Sequence, residues 1–244
     1  MPELVYPPVI AAARLAFRAL DFRITVEGAE HLPTTGGAVL ASNHVGYLDF
    51  FFAGLGARPS KRLVRFMCKQ AVFGHWLGGP LMRGMRHIPV DRHSGIGSYK
   101  AALQALKAGE VVGVFPEATI SQSLTVKEFK SGAARMSAAA GVPLVPVAVW
   151  GGHRLWTKGH PRTLTRRHLP ISILVGEPLR PGRKDDHTAV TAELRARVAA
   201  LVDRAQRGYP DTPSGPEDTW WLPAHLGGSA PAPEPAQSPT RGDE

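Results

Sequence analysis

The sequence predicts an α/β domain: a mixed, largely parallel sheet wrapped by helices and preceded by an amphipathic N-terminal helix. Three observations carry this reading. Short apolar runs of strand length alternate with stretches of helical period from about residue 22 to residue 207, the order that builds a sheet with crossover helices. Two of the apolar runs, AVLAS (Ala38 to Ser42) and VVGVF (Val111 to Phe115), are each followed at once by a polar cluster, a pattern expected where buried strands open into functional loops. The length of 244 residues gives one such domain a sizeable core without calling for a second.

The elements follow in order. In Leu4 to Leu20 (LVYPPVIAAARLAFRAL), Arg14 and Arg18 lie four apart and share a helix face, leaving Ile10, Leu15, Phe17 and Leu20 over much of the rest. That pattern suits a helix in a bilayer interface and one that covers the core equally well; residues 1–22 are read as a membrane-contact segment. FRITVEG (Phe22 to Gly28) alternates like a strand, and LPTTGG (Leu32 to Gly37) is turn material before the AVLAS strand. Helical periodicity follows Asp49. Later come a strand around His87 to Val90, a helix around Ile96 to Ala108 closed by Gly109, and the strand Val111 to Phe115. A helix Ser131 to Ala140 is closed by Gly141; the strands Leu144 to Trp150 and Ile171 to Val175 and a helix from about Thr188 to Arg207 complete a domain spanning 23–207. From Gly208 proline, glycine, serine and acids dominate, so 208–244 is read as a disordered tail in which Trp220, Trp221 and Leu222 dock locally on the domain or a membrane.

Lys and Arg outnumber Asp and Glu by 29 to 20, a net charge of +9, which favours anionic partners such as lipid head groups, coenzyme phosphates or nucleic acid. The basic residues concentrate in Arg58 to Lys69 and His153 to His168 with apolar or aromatic residues interleaved, a composition that suits a bilayer interface, although many basic faces are merely solvated. Cys68 is the only cysteine, so neither a disulfide framework nor a cysteine metal site is expected, and a reducing cytoplasmic setting follows. The N-terminus does not read as a cleaved signal peptide. No stretch reaches the ~18–20 uncharged apolar residues of a spanning helix.

The polar clusters carry the chemistry. Asn43-His44 with Asp49 five residues on from the histidine pairs an imidazole with a carboxylate, the arrangement that takes a proton from a hydroxyl. Five residues of helix turn a side chain by roughly 140°, so the two would not share a face mid-helix; His44 is expected in the strand-to-helix loop with Asp49 folding back from the first turn. By itself such a pair is more often a structural hydrogen bond. The second strand end carries Pro116, Glu117, Thr119 and Ser121.

Together these residues resemble the glycerolipid acyltransferases typified by 1-acylglycerol-3-phosphate acyltransferase. Four ordered blocks carry the likeness over roughly residues 25 to 180. His44 and Asp49, with Asn43, meet His-x4-Asp; GMRHIPVDR (Gly84 to Arg92) looks like the second block, which ends in a basic residue. Glu117-Ala118-Thr119-Ile120-Ser121 occupies the place of Glu-Gly-Thr-Arg-Ser, and VPLVPVAV (Val142 to Val149) is similar to the proline-bearing fourth strand. Two positions depart. Ala118 replaces a glycine, and Ile120 replaces an arginine thought to hold the acceptor phosphate, which removes a five-donor fork. Either Arg92, Lys127 or Lys130 takes over the phosphate or the acceptor head group differs.

The resemblance implies transfer of a fatty acyl group from an acyl thioester to the free hydroxyl of a lysophospholipid, first of all 1-acylglycerol 3-phosphate, with another lysolipid or a glycolipid as alternative acceptor. His44 is expected as general base and Asp49 as the group that fixes its tautomer. Asn43, Arg92, Glu117, Thr119 and Lys130 are expected to bind substrate. For Glu117 a buried acid holding the loop, an acceptor ligand and a helix cap are all open, and acceptor positioning with Thr119 is preferred. No cofactor or metal is implied beyond acyl-CoA or acyl-carrier protein as donor. The expected setting is the cytoplasmic face of an anionic membrane, peripheral or monotopic. A nucleic-acid-binding domain would need a recognition element, and a serine hydrolase a Gly-x-Ser-x-Gly elbow; neither motif is present. A non-catalytic peripheral protein on the same fold is disfavoured by the intact His44, Asp49 and Glu117.

Overall fold

The computed structural model describes residues 3–91 and 95–233. Its strands are β1 (Arg23–Glu27), β2 (Ala38–Ser42), β3 (Val64–Lys69), β4 (Ile88–Val90), β5 (Val111–Val114), β6 (Leu144–Trp150) and β7 (Pro170–Val175). Its α-helices are α1 (Tyr6–Ala19), α2 (Asp49–Gly56), α3 (Gln70–Phe73), α4 (Gly78–Gly84), α5 (Gly95–Lys107), α6 (Gly132–Ala140) and α7 (His187–Arg207). The strands form one sheet in the order β1-β7-β6-β2-β5-β3-β4. From β6 across to β4 every pairing is parallel, while β7 joins β6 antiparallel and carries β1 parallel to itself. This is the mixed, largely parallel α/β sheet expected from the sequence.

The side-chain period of a strand divides β2 between two cores. Val39 and Ala41 face the cluster built with α5, α6 and α7, whereas Ala38 and Leu40 face the one that holds Phe52 and Ala53 of α2 and Phe17 of α1. A strand buried on both faces reads as a continuous apolar run, as AVLAS does. Parallel pairing also brings the C-terminal ends of β2, β5 and β6 to one edge of the sheet, where loops of α/β proteins place their functional groups.

Three sequence expectations are corrected. β3 lies inside the stretch read as a basic interface. Arg65 is 3% exposed and is neutralised by Glu3 and by Glu110 (Nε to Oε2, 3.1 Å), with the Met85 carbonyl at 2.9 Å. Arg62 donates to the carbonyls of Pro33, Gly36 and Gly109. A buried guanidinium is tolerated when its donors are paired, and the acids that pair Arg65 come from distant segments. The second basic stretch is likewise partly internal. Arg154 is 2% exposed; it reaches Asp211 at 2.5 Å and stands 4.1 Å over the Trp221 ring.

The third correction concerns the segment after α7. Tyr209, Trp221 and Ala230 are buried in the core with α7, and His153 bonds the Trp221 carbonyl at 2.9 Å. The local docking expected for Trp221 is found, and it is on the domain; what the composition hid is that Tyr209 and Ala230 are buried with it in the core. Part of α1 packs on the domain: Tyr6 is buried and donates to the Val64 carbonyl at 2.8 Å, and Phe17 stacks on Phe52. No helix among the described residues is long and apolar enough to cross a membrane.

Replacing Trp221 by alanine empties a fully buried site and is expected to cost about 3–5 kcal/mol, read as a lower urea midpoint at unchanged slope. A change below about 1 kcal/mol would show that the segment does not contribute to the core.

Candidate active site

β2 ends at Ser42, and the next side chain continues its ladder. Asn43, 1% exposed, donates through Nδ2 to the Val149 carbonyl at 3.0 Å and accepts the Val149 N–H at Oδ1 at 2.8 Å. The carboxamide thereby stands in for backbone between β2 and β6. With both ends engaged, Asn43 positions its neighbour and does not face substrate, contrary to the expectation that it binds one.

That neighbour is His44. Its N–H donates to Glu117 Oε1 at 2.8 Å and its carbonyl accepts from the Ser121 N–H at 2.7 Å, so the loop leaving β5 holds both backbone groups. Its ring stacks on Phe115, 4.3 Å between centroids and 24° between planes, while Nδ1 lies 3.1 Å from Asp49 Oδ2. Asp49 is the first residue of α2 and fully buried. The same Oδ2 accepts the N–H groups of Val45 and Gly46, each at 2.7 Å. The chain must turn back tightly here, and a Cβ on Gly46 would stand 2.9 Å from His153 Cα. His44 thus sits in the strand-to-helix loop with Asp49 reaching back from the first helical turn. A carboxylate accepting two backbone N–H groups holds its place independently of the histidine. Nδ1 is then assigned the proton, and Nε2 keeps its lone pair. The His44 side chain remains 21% exposed, within reach of a ligand.

Glu117 is 6% exposed. Oε1 takes the His44 N–H and Oε2 the Lys127 N–H at 3.1 Å. This is the geometry of a buried acid that holds its own loop together and ties it to the loop of His44, the first of the three readings open for it. Burial pushes its carboxyl up to about 7, against the lowering effect of the two N–H donors and His44. Thr119 is exposed, and its hydroxyl accepts from Lys127 Nζ at 3.3 Å. Lys130 is exposed as well, its N–H bonded to the Pro116 carbonyl just before α6. Ile120 is buried. Arg92 lies outside the described residues. Sequence reading gave no role to Phe115, Val149 or the Lys127 backbone; the ring after β5 was the one available signal, since an aromatic next to Pro116-Glu117 ends a strand beside the histidine's own.

Ala118 has φ 60°, in the left-handed region, where a Cβ costs about 1–2 kcal/mol and glycine is at ease. Ala118→Gly is expected to raise stability by up to about 1 kcal/mol after the entropy it adds to the unfolded chain, measured as a higher melting temperature. Glu117→Gln replaces one acceptor oxygen by an NH2 that faces an N–H donor. Folded Glu117 binds its proton more tightly, at about 7, than the unfolded chain does, at 4.5. Its contribution to stability is therefore full below pH 4.5 and is lost as pH rises to about 7. The stability of the parent relative to Glu117→Gln is expected to fall across that window in urea titrations; a pH-independent difference would show that the carboxyl keeps its ordinary affinity.

The sequence pattern of the family described as Acyltransferase matches residues 23–150, which hold His44, Asp49 and Glu117. The 1-acyl-sn-glycerol-3-phosphate acyltransferase of Bacillus subtilis (strain 168) is 30% identical over 192 residues, 74% of this chain and 89% of that protein. The chloroplastic LPAT1 of Arabidopsis thaliana, also named 1-acyl-sn-glycerol-3-phosphate acyltransferase, is 28% identical over 187 residues, 75% of this chain and 50% of that one. In fold, the chain is similar to the crystal structure of the 1-acyl-sn-glycerophosphate acyltransferase PlsC from Thermotoga maritima, with a TM-score of 0.69, 21% identity, and 84% and 81% of the two chains covered. With the family's sequence pattern spanning more than half of its residues, this chain belongs to the acyltransferase family.

Proposed function

We propose that this O-acyltransferase moves a fatty acyl group from an acyl thioester to the free hydroxyl of 1-acylglycerol 3-phosphate, giving phosphatidate in phospholipid biosynthesis. The observation that carries the reading is the His44–Asp49 pair, with Nδ1 held at 3.1 Å by a buried carboxylate and the ring partly exposed. Nε2 takes the hydroxyl proton as that oxygen attacks the thioester carbonyl. Asp49 stabilises the imidazolium that forms. When the tetrahedral intermediate collapses, the C–S bond breaks and the leaving thiolate takes the proton back from His44. Coenzyme A and acyl-carrier protein present the same thioester, and either serves this step.

The phosphate of the acceptor is assigned to the loop after β5. Ile120 offers no donor, whereas Lys127 Nζ meets the exposed Thr119 hydroxyl and Lys130 lies exposed three residues on. Lipid acceptors and water-soluble donors meet at a bilayer surface, so the enzyme works as a peripheral protein on the face where the thioesters are made, the cytoplasmic one. The likeness of the relatives named 1-acyl-sn-glycerol-3-phosphate acyltransferase supports this acceptor.

Thiol release from palmitoyl- and oleoyl-CoA across a panel of lysolipids tests the reading. Release is expected to depend on lysophosphatidate and to fall by about 10²–10⁴ in His44→Ala with the acceptor KM little changed. Release that ignores the acceptor or the mutation would sink it. Lys127→Ala is expected to raise the KM for lysophosphatidate about tenfold and to leave that for an uncharged monoacylglycerol alone; equal effects on both would remove Lys127 from phosphate binding.

A further inference from the structure

The connection between β3 and β4 carries a surface that the chemistry above does not use. α3 begins directly after Lys69, the last residue of β3, and a turn of four residues, Gly74 to Leu77, joins it to α4. On that turn Trp76 is 81% and Leu77 55% exposed, with Val72 and Leu81 of the flanking helices also in solvent. The turn is well built. Phe73 is buried beneath it, Arg83 donates to the Phe73 carbonyl at 2.7 Å, and a Cβ on Gly79 would collide with that carbonyl at 2.3 Å. His75 Nδ1 accepts the N–H groups of Leu77 and Gly78 at 3.3 and 3.1 Å. A rigid turn that holds a tryptophan and a leucine in water gains nothing for the fold and marks a contact surface.

Two further observations identify what it contacts. From residue 50 to residue 90 the sequence has no Asp or Glu and seven Lys or Arg. Arg62 and Arg65 are taken up internally, but Lys69 and Arg83, at the base of the turn, are exposed. A bulky apolar tip with two cations at its base matches the boundary of an anionic bilayer, where tryptophan sits at head-group depth and Lys or Arg meets phosphate. The turn also leaves the sheet at the C-terminal end of β3. β3 pairs with β5 and β5 with β2, so the exit that carries Glu117 lies one strand spacing away and the exit that carries His44 two, about 5 and 10 Å.

We infer that the α3–α4 turn, centred on Trp76 and Leu77, seats the protein on an anionic lipid surface with the His44 edge of the sheet turned toward the bilayer. The inference deepens the proposed function, since it rests on a lipid acceptor that must be reached at the membrane. It moves the main contact from α1 to the β3–β4 connection.

Co-sedimentation of the full chain with phosphatidylglycerol–phosphatidylcholine vesicles, and with phosphatidylcholine vesicles alone, tests it. The parent is expected to bind the anionic vesicles and to be released by salt. The double variant Trp76→Ser/Leu77→Ser is expected to bind at least tenfold more weakly at an unchanged melting temperature, because both side chains are exposed. Its acyl transfer between water-soluble short-chain substrates is expected to match the parent's. Leu15→Ser, which removes an exposed leucine of α1, is expected to leave vesicle binding in place. Undiminished binding by the double variant, loss of binding in Leu15→Ser, or failure of the parent to bind anionic vesicles would each overturn the inference. So would a parent dimer that the double variant dissociates, since the surface would then belong to a second copy. Vesicle binding without any acyl transfer would leave the docking surface standing and remove the function proposed above.

Discussion

The loop that carries His44 depends on one constraint: chain leaving the middle of a parallel sheet must satisfy its backbone groups without water. Asn43 meets it on the β6 side by imitating a ladder residue toward Val149. Glu117 meets it on the β5 side by accepting the N–H of His44, and Ser121 returns a donor to the His44 carbonyl. Three loops are thereby locked to one another around a single imidazole. Asp49 adds a carboxylate already held by two backbone N–H groups. For the proposed proton transfer such an arrangement needs no reorganisation, because the orienting groups are fixed before a ligand arrives.

The same economy governs the cations. A net charge of +9 suggests a strongly positive surface, yet one arginine in each basic stretch, Arg65 and Arg154, is an internal fastener. Arg65 ties residue 3, residue 110 and the chain before β4 to the start of β3. Arg154 fastens the segment after α7 through Asp211, Tyr209 and the face of Trp221. Each removes one cation from the exterior and one open end from the fold. Exposed cations also stand near the C-terminal edge of the sheet, among them Lys69 and Lys130.

The two departures from the family pattern act in different ways. Ala118 keeps the backbone path at φ 60° and accepts a local steric cost, so the loop geometry survives. Ile120 turns its side chain inward, so a donor is lost while the frame around His44 is untouched. In the proposed reaction, recognition of the acceptor head group and positioning of the base would be separable, because backbone contacts hold His44 while the side chains proposed for the head group are on the loop after β5.

The sequence by itself determined whatever depends on short range. Apolar runs of strand length gave six of the seven strands, a 3.6-residue period with closing glycines gave α5, α6 and α7, and five residues of spacing were enough to anticipate that Asp49 folds back on His44. β3 escaped because its apolar run is interrupted by Arg65, whose charge can be buried only once Glu3 and Glu110 arrive. Tertiary structure alone decided that Glu117 is a loop tie, that Asn43 is a surrogate strand residue and that Trp221 belongs to the core. Their partners lie 73, 106 and 68 residues away in the chain, and a hydrogen bond or a buried ring has no local signature until the sheet brings its two ends together.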